Sequence, residues 1–122
     1  MSYYTGRVTL SQTGDNVIDE IGFQPTWIRV RVSQKVGIAE TCQHLCLGQS
    51  DGTRTNYSTI YGDTSGAKTI EGNDKLISHF EKVSGTWTEV LSATLVSFDA
   101  DGVTIHTTAG NANYRVHLEL GD

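Results

Sequence analysis

The sequence has little of what fibrous, disordered or membrane-spanning chains need. It contains one proline beside 13 glycines, and 37% of its residues are hydrophobic, which excludes a collagen-like repeat and a disordered tail. The longest uncharged apolar run, residues 90–98, is far shorter than the roughly 18 residues of a membrane span. The start, Met1-Ser2-Tyr3-Tyr4, lacks the basic and apolar regions of a signal peptide. These absences predict synthesis in the cytoplasm and no membrane insertion.

Basic residues and cysteines are also scarce. Nine Lys and Arg residues against 14 Asp and Glu give a net charge of -5, so nucleic acid, whose phosphates need basic partners, is not an expected ligand. Cys42 and Cys46 share a predicted strand over residues 41–48, about 13 Å apart at the strand rise, which is too far for a disulfide. We expect two reduced thiols, as in a reducing compartment.

What the chain does have is alternation of period two. Its 122 residues fit one domain, and residues 27–33 are the clearest segment. Apolar and mostly cationic side chains alternate there, with Ile28, Val30 and Val32 on one face and Trp27, Arg29 and Arg31 on the other. This pattern predicts a half-buried antiparallel strand.

The C-terminal third repeats the alternation in two runs on either side of Ala109-Gly110-Asn111-Ala112. If this tetrapeptide is a hairpin loop, Ile105 faces Val116 and Val103 faces Leu118, so the apolar residues of both runs share one face. A turn at residues 99–102 would join this hairpin to the strand-like run before it.

Shorter strands are predicted at residues 3–10, 16–21 and 76–83, the last forming a hairpin with the strand that follows it. Turns rich in Gly, Asn and Asp separate these segments. The expected fold is therefore all-β: a single antiparallel β-sandwich of about six to eight strands. Residues 49–75 are unusually polar and form either a long loop or a weak hairpin.

One segment matches the G-x-S-x-G nucleophile elbow, Gly48-Gln49-Ser50-Asp51-Gly52, and His106 and His117 follow it as bases. The elbow needs a strand before the serine and a helix after it. A polar, turn-rich stretch follows here instead, so we interpret the motif as a turn and expect no catalytic residues and no enzyme activity.

Two sets of residues resemble incomplete metal sites. Cys42, His44 and Cys46 share one side of the predicted strand, but its outer pair is too far apart to bind one ion. We expect Leu45 and Leu47 to face the core instead. His106 and His117 would lie roughly 7 Å apart on the outer face of the C-terminal hairpin. Two histidines without a third ligand favour a solvated surface, and no metal or cofactor is expected.

Two further groups suggest binding surfaces. Trp27, Arg29 and Arg31 have the composition of an interface, and they form either a subunit contact or a plain solvated face. The polar segment combines aromatic rings with amide, carboxylate and guanidinium groups, as sugar-binding sites do. These candidate ligand residues are Arg54, Asn56, Tyr57, Tyr61 and Asp63. The alternative is a mobile loop with incidental tyrosines.

Two stretches together resemble small β-sandwich domains of bacteriophage tail and virion proteins. The first signature is residues 21–30, where Gly22-Phe23-Gln24-Pro25 is followed at once by a strand. The second is residues 93–105 with 113–121, where those domains show F-x-x-x-G-F-x-L and a closing strand ending in glycine. Phe98, Gly102 and Gly121 occupy these positions, and Val103 replaces the second Phe. H-type lectins, which assemble as trimers or hexamers, have a similar order of motifs.

The resemblance implies a non-enzymatic module of a phage or prophage-derived virion or tail. Such a module would be made in the host cytoplasm, self-associate as a homo-oligomer, either a trimer or a hexamer, and attach to a surface receptor. The alternative function is a carbohydrate-binding, lectin-like module whose partner is a cell-surface glycan.

Overall fold

The computed structural model describes residues 1–33, 43–63 and 65–122, and within these ranges the chain forms ten β-strands and no helix. In chain order the strands are β1 (Tyr3–Val8), β2 (Gly14–Ile18), β3 (Trp27–Val32), β4 (Gln43–Ser50), β5 (Thr55–Asp63), β6 (Gly66–Asn73), β7 (Ile77–Val83), β8 (Thr86–Asp99), β9 (Gly102–Ala109) and β10 (Val116–Gly121). In the described part of the chain no helix is long and apolar enough to cross a membrane.

The strands form two antiparallel sheets that pack against each other, which confirms the predicted all-β sandwich. One sheet has six strands in the order β1-β10-β3-β4-β5-β6, and the other has four in the order β2-β9-β8-β7. Ten strands exceed the predicted six to eight because residues 49–75 contain β5 and β6, which pair as a hairpin. The polar sequence is compatible with a strand pair because only one face of it contacts the core.

The core lies between the sheets and contains the apolar face predicted for residues 27–33. Ile28, Val30 and Val32 are at most 3% exposed. Val103 and Ile105 of the four-stranded sheet belong to the same core and are fully buried. Burying one aliphatic side chain of this size contributes about 1.5–3 kcal/mol, so such contacts hold the two sheets together.

The predicted C-terminal hairpin is wrong. β9 pairs with β2 and β8 in the four-stranded sheet, whereas β10 lies between β1 and β3 in the six-stranded sheet. Residues 110–115 therefore cross between the sheets, and Ile105 and Val116 are buried without pairing. Alternation indicates which side chains are buried, but two strands in one sheet and two strands facing each other produce the same pattern.

The two faces of β4 are the reverse of the prediction. Leu47 is 48% exposed and Leu45 is partly exposed, while His44 and Cys46 are buried. Cys46 is a free thiol that accepts a hydrogen bond from the Ser78 N–H, and burial raises its pKa. The hydropathy of β4 misled the prediction because its buried polar side chains have partners inside the core. Cys42 lies outside the described residues.

A pair of buried histidines joins the two sheets. His44 Nδ1 of β4 and His79 Nε2 of β7 are 2.8 Å apart, so the ring of one histidine donates its N–H to the other. The Tyr114 ring packs edge-on against both imidazoles. Burial, and then the neighbouring His44, lowers the pKa of His79 to about 3. His79 is therefore neutral at pH 7, and the contact needs no buried charge.

The remaining predicted turns and strands are present with shifted ends. β7 and β8 form the predicted hairpin through residues 84–85, and β8 and β9 are joined by the predicted turn at residues 99–102. β1 ends two residues earlier than predicted, and β2 starts two residues earlier and ends three residues earlier. Strand ends are weakly determined by local sequence because the last backbone groups can bond to turns or to water.

The turn at residues 99–102 is where the two signatures meet. The carboxylate of Asp101 accepts a hydrogen bond of 2.7 Å from the Gly22 N–H. A Cβ at Gly102 would overlap the backbone carbonyl of Ile18, so this position requires glycine for close approach of the chain. The signature residues at this turn therefore have a structural role.

Acid should destabilise the fold through His79. Its pKa in the folded protein, about 3, is below the 6.5 of the free side chain. The neutral imidazole therefore contributes stability that is complete above pH 6.5 and is lost as the pH falls toward 3. We expect the free energy of unfolding, measured by urea titration, to fall by about 2 kcal/mol from pH 7 to pH 5. The lowered pKa of His117 acts in the same direction within this window, whereas the lowered pKa values of Asp63 and Asp99 act below 3.8, outside it.

Two histidine variants test this assignment. His79→Leu should remove most of the pH dependence between pH 7 and pH 5. His106→Gln should retain it, because His106 lies on the outer face of β9 and bonds to Asp15. A parent protein with equal unfolding free energies at the two pH values would contradict the role of His79.

Candidate functional site

A groove of about 1160 Å³ crosses the outer face of the six-stranded sheet, and all six strands contribute to its lining. Its side chains belong to the same strands that fill the core, but they point to the opposite side. The volume is that of a ligand-binding cleft. The groove is therefore the candidate functional site.

The register of the strands aligns the outward side chains of the groove in two rows. From β1 to β6, the first row consists of Arg7, His117, Arg31, Leu47, Ser58 and Glu71. In the same order, the second row consists of Thr5, Glu119, Arg29, Gln49, Asn56 and Asn73. Neighbours in a row lie directly opposite each other on adjacent strands, with Cβ atoms about 4.5–5.5 Å apart.

At one end of the first row, Arg7, His117 and Arg31 form a basic cluster. Arg7 and Arg31 are exposed, and across residues 1–33, 43–63 and 65–122 neither makes an ion pair. Partial desolvation lowers the pKa of His117, and the charges of Arg31, Arg7 and Arg115 lower it further. Two guanidinium groups beside an imidazole are suited to bind an anion.

An aromatic pair borders the second row at the same end of the groove. Tyr3 and Trp27 are the register partners of Gly121, and their ring centroids are 6.1 Å apart. The guanidinium of Arg29 lies 5.2 Å from the centre of the Trp27 ring. The Tyr3 hydroxyl donates to Glu119 at 3.0 Å, which raises the pKa of the phenol. Arg29 and Glu119 thus have partners within the sheet, unlike the two arginines of the basic cluster.

At the other end of the groove the second row is uncharged. Gln49, Asn56 and Asn73 occupy adjacent positions on β4, β5 and β6 and form an amide cluster. All three side chains are exposed. Amide groups both donate and accept hydrogen bonds, which suits a ligand rich in hydroxyl groups. The groove therefore has a basic end and a neutral polar end.

The predicted ligand residues Arg54, Asn56 and Tyr57 occupy different places. Asn56 and Tyr57 line the groove. Tyr57 also packs against the core, and a Cβ at its register partner Gly72 would overlap the Tyr57 ring. Arg54 is exposed in the turn between β4 and β5, outside the groove.

The other two predicted ligand residues face the sandwich interior or its edge. Tyr61 is 6% exposed and stacks on Phe80, with ring centroids 4.9 Å apart. Asp63 forms an ion pair with Lys82 at 2.5 Å, which lowers the pKa of the carboxyl group. The structure therefore does not gather the five predicted residues into one site. They separate because alternate residues of β5 point to opposite faces.

The three predicted interface residues share the outer face of β3, as their alternation indicated. Arg29 and Arg31 are exposed and line the groove, and Trp27 lies beyond its rim beside Tyr3. Part of the Trp27 ring is covered within the chain, because a Cβ at Gly121 would overlap it.

Ser50 does not occupy a nucleophile elbow. It ends β4 and is followed by a turn and by β5, not by a helix. Its hydroxyl lies 2.7 Å from Thr55 Oγ1 and accepts a hydrogen bond from the Gly52 N–H. No histidine of the described residues bonds to it. The interpretation of this motif as a turn agrees with this local structure.

His106 and His117 lie on different sheets, so the predicted separation of roughly 7 Å is wrong for the same reason as the hairpin. His106 bonds to Asp15 at 2.7 Å on the outer face of the four-stranded sheet. Among the residues that the structure describes, no group of three His, Cys, Asp or Glu side chains is arranged to hold a metal ion.

Sequence patterns did not identify several residues of the groove, among them Arg7, Glu119, Gln49 and Asn73. Each is an ordinary outward residue of its own strand. Gln49 and Asn73 enter the groove through the β4–β5 and β5–β6 pairings, but Arg7 and Glu119 become neighbours of the other groove residues only through the pairing of β1 with β10 and of β10 with β3. No local signal carries these pairings, because the strands are far apart in the chain.

Comparisons with known proteins do not assign this chain to a family. No family model matches it, and no curated protein matches it. Among solved structures, the chain is similar to the tailspike protein of Acinetobacter phage vB_ApiP_P1, with 11% identity and a TM-score of 0.34. That similarity covers 97% of this chain and 20% of the tailspike, so the chain spans about a fifth of that protein. A structural similarity this weak carries no argument about function. The functional argument is based on the groove.

Gly121→Ala should destabilise the protein through Trp27. The added methyl group would overlap the indole ring, and overpacking of this kind costs about 1–3 kcal/mol. We expect a loss of that size in the free energy of unfolding. In a Trp27→Ala background the same substitution should cost much less, because the ring is gone. Equal costs in the two backgrounds would show that Trp27 is not the reason for the glycine.

Proposed function

We propose that this chain is a non-enzymatic structural module of a phage or prophage-derived virion or tail, and that it attaches to a surface receptor through the groove. The single observation that supports attachment is the groove itself, where six strands align two rows of outward side chains. An open polar surface assembled across a whole sheet suits recognition of a large ligand. The hydroxyl of Ser50 is engaged by its own turn, which supports a non-enzymatic role.

The association with a virion is supported by the two signatures. Residues 21–30 and residues 93–105 with 113–121 resemble tail and virion domains, and in the folded chain the two signatures contact each other at Asp101. The closing strand of the second signature also contacts the first signature, because Gly121 leaves room for the Trp27 ring. The resembling residues thus form one connected part of the sandwich.

Self-association is supported by exposed apolar side chains on β4 and β5. Ile60 is 50% exposed, and its register partner is Leu45. Leu47, 48% exposed, lies two residues farther along β4 on the same face. Neighbouring exposed apolar residues are typical of contacts between proteins. Because Leu47 also lines the groove, we assign the contact between copies of this chain to Leu45 and Ile60, which lie outside the groove lining, with Trp27 as the alternative contact.

Light scattering at high micromolar concentration tests self-association. We expect the mass of a trimer or hexamer for the parent protein and a smaller mass for Ile60→Asp, because a carboxylate in an apolar contact must be desolvated. Val17→Asp is the matched control, since Val17 is 64% exposed on the other sheet. A monomeric parent protein would contradict self-association, and dissociation by Trp27→Ala alone would move the contact to the aromatic pair.

A carbohydrate-binding, lectin-like module is the second candidate function. It is favoured by the composition of the groove, which combines the amide cluster with guanidinium groups and has Tyr3 and Trp27 at its border. Amides and guanidinium groups bind hydroxyl groups, and aromatic rings stack on the C–H faces of sugars. This candidate specifies the receptor of the proposed attachment module as a cell-surface glycan.

An array of bacterial surface polysaccharides tests this candidate. We expect binding to at least one glycan, with roughly tenfold weaker binding for Asn56→Ala, because loss of a buried hydrogen bond costs about 1–2 kcal/mol. Arg54→Ala is the control, since Arg54 is exposed on the neighbouring turn but outside the groove. Absence of binding to every glycan, or equal loss in both variants, would contradict a glycan site in the groove.

A further inference from the structure

The fold brings like charges together at one end of the groove. Arg7 and Arg31 are the two register partners of His117, one on each side of β10. The two arginines therefore lie two strands apart, and their like charges repel each other across His117. The lowered pKa of His117 reflects this field and partial desolvation, so the imidazole is mostly neutral at pH 7 in the free protein.

This concentration of positive charge runs against the composition of the chain. The protein has a net charge of -5, and its five arginines are Arg7, Arg29, Arg31, Arg54 and Arg115. Of these, Arg7, Arg31 and Arg115 act on His117, and Arg29 lies in the second row of the groove. Only Arg54 is elsewhere.

The acidic residues of the groove do not neutralise the basic cluster. Glu119 accepts a hydrogen bond from Tyr3 and lies opposite Arg29. Glu71 is at the far end of the first row, on β6. In the described ranges no carboxylate bonds to Arg7 or Arg31. An anionic ligand would supply the missing negative charge.

We propose that the basic cluster of Arg7, His117 and Arg31 binds a carboxylate of an acidic polysaccharide, while the amide cluster binds the hydroxyl groups of neutral sugars in the same chain. This inference rests on the proposed attachment function and specifies its ligand. The groove crosses six strands, about 24 Å at the usual strand spacing, which is the length of several sugar residues and not of one. The planar guanidinium groups match a carboxylate with two parallel hydrogen bonds.

A matched pair of ligands tests the proposal: each acidic bacterial polysaccharide is presented in its native form and after reduction of its carboxyl groups to alcohols. We expect binding to at least one native polysaccharide and at least about tenfold weaker binding to its reduced form, as for loss of a charge-assisted hydrogen bond. Arg7→Gln and Arg31→Gln should weaken binding to the native form by a similar factor. Arg54→Gln should leave binding unchanged.

The same variants should weaken binding without lowering the stability of the free protein. Because Arg31 is repelled by Arg7 across His117 and makes no ion pair among the described residues, Arg31→Gln should unfold at an equal or higher urea concentration than the parent, while binding more weakly. A variant that loses stability and binding together would indicate a structural role for Arg31 and would overturn the assignment. The ring resonances of His117 provide a further readout, since a bound carboxylate should raise the His117 pKa against the field of Arg7, Arg31 and Arg115.

The possible results separate this proposal from the attachment function. Equal binding to native and carboxyl-reduced polysaccharides would overturn the carboxylate subsite and leave attachment intact. Equally strong binding to dextran sulfate, with the same loss in the arginine variants, would overturn the assignment in favour of unspecific attraction to polyanions. Binding to none of the polysaccharides would contradict both this proposal and the carbohydrate-binding function.

Discussion

The strict alternation of side chains along each strand is the constraint on which the rest of the structure depends. Once Ile28, Val30 and Val32 of β3 enter the core, Trp27, Arg29 and Arg31 must lie on the outer face. The same constraint acts on the five other strands of the large sheet. Antiparallel register then aligns their outward residues in rows. The groove is therefore formed by the residues that folding did not bury. The choice of core residues on each strand determines which residues line it.

Two arrangements in this sandwich cost stability. The basic cluster places the like charges of Arg7 and Arg31 on either side of His117, and the His44–His79 pair places two imidazoles in the core. They differ in how the cost is offset. The buried histidines share one hydrogen bond and His79 is neutral at pH 7, whereas Arg7 and Arg31 have no counterion among the described residues. Strain that the protein itself does not relieve is typical of sites where a ligand binds.

Local sequence predicted the elements whose signals are complete within a few residues. The alternation in residues 27–33 identified β3 and its buried face, and the turn residues at 99–102 identified the hairpin of β8 and β9. It failed on β4, because His44 and Cys46 look like surface residues until their partners in β7 are known. For the candidate site, it selected Asn56, Arg29 and Arg31, but it placed them in separate groups and left Arg7 and Glu119 out.

The all-β class, the inward face of β3 and the tight turns follow from residues close together in the chain, since backbone preference and side-chain alternation are local properties. The neighbours of each strand are a different matter. β10 could pair with β9, its predecessor in the chain, and bury the same apolar residues that it buries between β1 and β3. Only packing of the whole sandwich selects between these arrangements, because the gain comes from contacts distant in sequence. That selection placed His117 between Arg7 and Arg31, and so created the basic end of the groove.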